Sequence, residues 1–193
     1  MNDRIKEMIE EIETMKKKLG EEIVKEEEYV NYENRNGYIQ FEKELFDRQK
    51  QNMMHLWDWF MEIPLIQLLS APVVYMMIIP AVMLDMMFVI YHNVVSRVFK
   101  IEFGKRSDYI VFDRQYLGYL NVIEKLNCLY CAYLNGLMQY ASSLAARTEL
   151  YFCPIKHAKK IAYKHEFYHT FLPYGYGDEY QKKLKELRKD TEI

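Results

Sequence analysis

Charge is missing over one long stretch. From Ile63 to Leu84 the sequence reads IPLIQLLSAPVVYMMIIPAVML, 22 positions without Asp, Glu, Lys, Arg or His. Cysteine is scarce too, with three in 193 residues. An odd count speaks against an extracellular disulfide framework and favours reduced thiols facing the cytosol. Neither sign of charge dominates: 26 basic residues face 28 acidic ones, for a net charge of −2. That balance provides no basic field, so no nucleic-acid partner is expected. The N-terminus, MNDRIKEMIEEIETMKKK, is charged and lacks an apolar h-region, so no cleavable signal peptide is expected. Internal repeats and low-complexity linkers are absent. Strand patterning is thin as well: Tyr109–Phe112 (YIVF) is strand-like but too little to imply a sheet.

What is present begins with the apolar run itself. A bilayer core about 30 Å thick takes roughly 20 apolar residues in a helix. Trp57, Trp59 and Phe60 stand just upstream, as in the aromatic belt of a headgroup layer. Membrane lipid is therefore the first expected partner, with residues 63–91 as the membrane segment. The competing reading is the core helix of a soluble protein, which would keep a polar stripe; here only Gln67, Ser70 and Tyr75 interrupt the apolar surface. Pro72 and Pro80 each remove a backbone donor. A re-entrant hairpin bent between them, with both ends on one side, is the alternative to a crossing. Placing Ile63–Leu84 across the core would bring Asp85 to the interface, away from the centre where a charge costs about 2.5–3.5 kcal/mol. Lys43, Arg48 and Lys50 precede the run, and Arg97, Lys100, Lys105 and Arg106 follow it. Charge therefore does not set the orientation; the thiols place the C-terminal part in the cytoplasm.

The expected fold is all-α: a membrane-anchored helical protein with one transmembrane or re-entrant segment and a C-terminal helical domain. Residues 1–30 form a charged helix whose Ile5, Met8, Ile12, Met15 and Leu19 make a short a/d seam, suited to a coiled coil with a protein partner or a second copy. Asn34-Arg35-Asn36-Gly37 is a turn signal. Within 31–62 an amphipathic helix from about Ile39 to Glu62 leads to the membrane. Residues 92–172 form a helical Cys/His domain, built on a helix from about Tyr116 to Tyr151 and a second over Pro154–Phe171. On the first helix a distinct polar stripe runs through Glu124, Cys128, Cys131, Asn135, Gln139 and Ser142. Residues 173–193 hold a turn and a last helix capped by Asp178, with Tyr180, Leu184 and Leu187 facing inward.

Two constellations suggest chemistry. Cys128-x2-Cys131 and Cys153-x3-His157 together supply three thiolates and an imidazole, a ligand set for zinc, with iron as the second choice. With Cys153 as N-cap ahead of Pro154, the helix N-terminus would favour its thiolate. The structural reading is that these cysteines simply pack; a redox dithiol at Cys128/Cys131 lacks its surrounding βαβ pattern. The second constellation is His165-Glu166-Phe167-Tyr168-His169, which fits H-E-x-x-H. There His165 and His169 would hold zinc, Glu166 would be the general base of a hydrolase, and Glu179 or Glu186 a third ligand. No sheet edge is at hand to hold a peptide substrate. Lys156, Lys159, Lys160 and Lys164, with Tyr163, Phe167 and Phe171, could rest on anionic lipid.

The segments IPLIQLLSAPVVYMMIIPAVMLD, KRSDYIVFDRQYLGYLNVIEKLNCLYCAYLNG and AARTELYFCPIKHA resemble a family of small bacterial proteins of unknown function, through the motifs NC-x-YC-x-Y-x-NG and CPIKHA. The resemblance implies a membrane-associated helical protein with a Cys/His cluster. It implies no activity, substrate or catalytic residue, and HEFYH is not among the segments that carry it. The functional expectation is a membrane-anchored Cys3His metal protein of structural, redox or partner-binding role, with a membrane zinc hydrolase or a metal-free scaffold as alternatives.

Overall fold

The computed structural model describes residues 3–27, 32–35, 38–41 and 43–191. The fold is helical, with seven α-helices and one short hairpin among the described residues. The chain divides into two compact units, residues 1–53 with 116–119, and residues 54–115 with 120–193.

In the first unit, α1 (Asp3–Glu27) carries i,i+3 pairs Lys16–Glu13 at 3.2 Å and Lys25–Glu22 at 2.6 Å. Its seam residues Met8, Ile12, Met15 and Leu19 are exposed. Strands β1 (Tyr32–Arg35) and β2 (Tyr38–Phe41) pair antiparallel, with Arg35 opposite Tyr38. Asn36 and Gly37 of the expected turn lie outside the described residues, between the two strands. The helix expected from Ile39 therefore begins only at Lys43, as α2 (Lys43–Gln51). Asn-Gly is a strong hairpin signal, and aromatic and β-branched residues in Tyr38–Phe41 favour extended chain over helix. Gly118 donates its N–H to Gln49 Oε1 at 3.0 Å, and a Cβ there would lie 3.1 Å from Gln49 Cβ.

The second unit is built on a long apolar helix. After α3 (Leu56–Glu62), α4 (Leu65–Met76) and α5 (Ile78–Phe99) follow with only Met77 between them. Met77 is itself helical, and its N–H donates to Val74 O at 3.3 Å, so Leu65–Phe99 runs as one helix of 35 residues. No hairpin forms at the prolines. Pro80 sits in the first turn of α5, where a missing N–H is tolerated, and its ring crowds the carbonyl of Met76, the residue before the joint at Met77. The helix also outruns its expected end at Tyr91, because Val94, Val95 and Val98 continue the apolar pattern; Lys100 stops it at φ 55°.

α6 (Val122–Phe152) runs parallel to α5. Tyr75 meets Asn127, Asp85 meets Tyr133 and His92 meets Tyr140, so both sequences rise together. α6 starts later than expected, at a capping box: Asn121 Oδ1 accepts from the N–H groups of Ile123 and Glu124 at 3.0 Å, while Glu124 Oε2 accepts from Asn121 N–H at 2.8 Å.

Parallel neighbours need a returning chain, and Lys100–Asn121 supplies it. Ile101 and Phe103 pack with Val95, Tyr140 and Leu144. Further on, Ile110 packs with Ala81 and Leu137. The strand-like run Tyr109–Phe112 is thus irregular connector, held by one buried isoleucine. Gly136 lets it pass: a Cβ there would lie 2.4 Å from Tyr109 O and 2.9 Å from Ile110 Cα.

The helix expected over Pro154–Phe171 does not form. Instead Ile155 bridges Leu172, with Lys156 N–H on Leu172 O at 2.7 Å and Leu172 N–H on Pro154 O at 2.9 Å. Only Glu166–Thr170 makes a 3-10 turn. Lys156, Lys160 and Lys164 would stack like charges at i,i+4 in a helix, whereas the observed course buries Tyr168, Phe171 and Leu172. α7 (Tyr180–Thr191) follows and buries Leu184 and Leu187, as its pattern predicts.

Candidate functional site

α4 and α5 carry the most unusual surface. Leu65–Phe99 is long and apolar enough to cross a membrane, and little of its most apolar stretch is buried. Leu65 is 70% exposed, Met87 66% and Ile90 63%. On α5 the exposed Ile79, Met83, Met86, Met87, Ile90, Val94 and Val98 recur at helical spacing, while Ala81, Asp85 and Val95 are buried. α4 has no buried residue at all. Trp57, 75% exposed, and Phe60 continue the apolar surface upstream. Monomeric soluble proteins rarely leave so large a contiguous apolar surface open.

The opposite face of α5 is a polar seam. Asp85, 9% exposed, accepts a bidentate pair from Arg106 of the connector, Nε to Oδ1 at 2.9 Å and Nη2 to Oδ2 at 2.5 Å. The Tyr133 hydroxyl donates to Oδ2 at 2.9 Å. Two turns on, His92 Nδ1 meets the Tyr140 hydroxyl at 2.8 Å, and Tyr91 donates to Thr148 Oγ1 at 2.7 Å, since that hydroxyl itself donates to Leu144 O. Tyr109 donates to Ser143 Oγ at 2.8 Å. Asp85 is therefore neutralised by a partner inside the fold, and its position does not depend on an interface. A lone carboxylate in an apolar helix does call for a cation. Which of the nearby cations answers it depends on the path of the connector, which no periodicity reveals.

The expected metal ligands are not assembled. Cys131 and Cys153 belong to one unbroken helix and its C-cap, and 22 residues at 1.5 Å each separate them by about 33 Å. No group of three or more His, Cys, Asp or Glu side chains suited to a metal occurs among the described residues. Cys128, Cys131 and Cys153 are all free thiols. Cys153 is the C-cap of α6, its N–H donating to Glu149 O at 2.8 Å, and not the N-cap of a following helix. It lies at the negative end of a helix dipole. Partial desolvation by its neighbours, and then the Glu149 carboxylate, push its thiol up, opposite to the expected thiolate. The His157 ring instead stacks on Tyr168, with centroids 6.3 Å apart.

The H-E-x-x-H arrangement fails for a local reason. Its residues follow a 3-10 turn, so His165 and His169 are not set one α-turn apart on a common face. The His165 side chain, 14% exposed, turns inward; Nε2 lies 3.1 Å from Glu149 Oε2, and Nδ1 is buried without a partner among the described residues. His169 is exposed. In the expected lipid-binding basic segment Phe171 is core, leaving Tyr163 as its exposed aromatic residue. The polar stripe of α6 is real in part: Asn135, Gln139 and Ser142 line an open cleft with Tyr163 and Glu166.

No family model matches this chain, nor does any curated protein or solved structure.

Proposed function

We propose that this protein is a membrane-docked helical scaffold, with α4 and α5 as its lipid contact. The observation that carries this reading is the uncovered apolar helix Leu65–Phe99, set against a polar seam that already satisfies its one buried charge. A core helix of a soluble protein would be covered; this one is not. Of the roles expected from the sequence, scaffolding needs neither an assembled metal site nor a hydrolytic centre. The three free thiols support a cytoplasmic setting for the C-terminal region. The exposed stripe of α1, Met8, Ile12, Met15 and Leu19, is the surface that would recruit a protein partner or a second copy.

Flotation with phosphatidylcholine/phosphatidylglycerol vesicles tests the reading. Wild type is expected to float with lipid, and Met83→Asp/Met87→Asp to stay at the bottom of the gradient with unchanged helical content. Wild type that is monomeric, detergent-free and absent from the lipid fraction would overturn it.

A further inference from the structure

We infer that Leu65–Phe99 lies along one face of the bilayer and does not cross it, an inference that rests on the membrane-docking reading above. A crossing helix must meet lipid around its circumference or be wrapped by other lipid-compatible elements. Here residues 100–115 of the connector run back beside it with no α-helix or strand of their own, and Glu102, Lys105, Asp108, Asp113 and Arg114 are exposed. Their level along the helix follows from the contacts. Arg106 pairs with Asp85, Ile110 packs at Ala81, and Asn127 of α6 meets Tyr75. Residues 111–115, which continue from Ile110, therefore lie alongside the stretch of the helix that ends near Ala81.

Two placements of about 20 residues across a bilayer core illustrate the conflict. With 65–84 in the core, Asp113 and Arg114, just past Ile110 at the level of Ala81, enter hydrocarbon. With 75–94 in the core, Lys105 and Asp108 enter at the centre beside Asp85. Either way, exposed charges and irregular backbone would face lipid, which does not occur within the hydrocarbon region. Lying in the interface resolves both conflicts. The row Ile79, Met83, Met86, Met87, Ile90, Val94 and Val98 meets acyl chains, and the connector and α6 stay in water. Both ends of the helix are then on the same side.

The test uses the full-length chain with Cys128, Cys131 and Cys153 replaced by Ala, and one reporter thiol from Asp58→Cys or Arg97→Cys. Both positions are exposed, Asp58 upstream of the helix and Arg97 in its last turn. Protein is added to preformed vesicles, floated, and treated with a membrane-impermeant maleimide. Both reporters are expected to react from outside to the same extent before and after the vesicles are opened. If one is protected about tenfold until the vesicles are opened, the helix crosses and the in-plane inference is overturned while membrane docking stands; a ring of copies around a wet lumen gives this same result. Failure to float overturns docking itself, and the inference with it. Polarised infrared dichroism of wild type in aligned bilayers guards against misfolded variants: a helix axis in the membrane plane supports the inference, and one along the normal overturns it.

Discussion

The helix Leu65–Phe99, made of α4 and α5, lies beside α6 and differs from it in a way that their uncharged runs do not announce. One run covers the 22 residues Ile63–Leu84, the other the 21 residues Leu126–Ala146. α6 buries Gly136, Leu137, Tyr140, Leu144, Ala146 and Leu150 and turns Asn135, Gln139 and Ser142 to an open cleft. α5 does the reverse, burying Asp85 and presenting methionines and isoleucines outward. The length of an uncharged run thus says less about lipid contact than which side chains the fold covers.

The seam between the two helices is where that contrast is easiest to break. Arg106→Ala leaves Asp85 almost dry and unpaired, and should cost about 3 kcal/mol, read as a lowered thermal midpoint. Asp85→Ala should cost less, because the Arg106 side chain is 40% exposed and can rehydrate. Equal losses would contradict the seam as described. Gly136→Ala forces a methyl against the connector backbone and should cost about 2 kcal/mol, in the range of overpacked cores. If it is instead neutral or stabilising, the connector does not pass where the structure puts it. Asn121→Ala removes one half of the capping box and should cost about 1 kcal/mol.

The smallest effect concerns Cys153. Its raised thiol pKa means less thiolate at pH 8, so iodoacetamide should alkylate it more slowly than free cysteine, and Glu149→Gln should recover part of the rate. The folded state holds this proton more tightly than the unfolded one. Stability therefore loses a small contribution as pH rises from the ordinary thiol range through the raised value. Faster alkylation than free cysteine would restore the expected thiolate.

Much of the helical fold is legible in the sequence. The uncharged run, the aromatic residues before it, and the inward Leu184 and Leu187 all follow from spacing. The site is less legible, for physical reasons that can be named. Cys128-x2-Cys131 and Cys153-x3-His157 look complementary as text, but a continuous helix holds their sulfurs apart, and helix length is a rigid ruler. His165 and His169 would share a face only in an α-helix; packing of Tyr168 and Phe171 selects another backbone path. Arg106 reaches Asp85 because an irregular connector runs back between parallel helices, a non-local pairing that no local pattern encodes. The strands Tyr32–Arg35 and Tyr38–Phe41 are set by pairing with each other, which the composition of neither segment announces alone.

Spin labels replacing Met87 and Gln139 in a cysteine-free background test the contrast between α5 and α6 most directly. In lipid vesicles the label at 87 should relax faster with oxygen, which concentrates in hydrocarbon, and the label at 139 with a water-soluble nickel chelate. A label at 87 that meets the chelate as readily as the one at 139 would contradict the account.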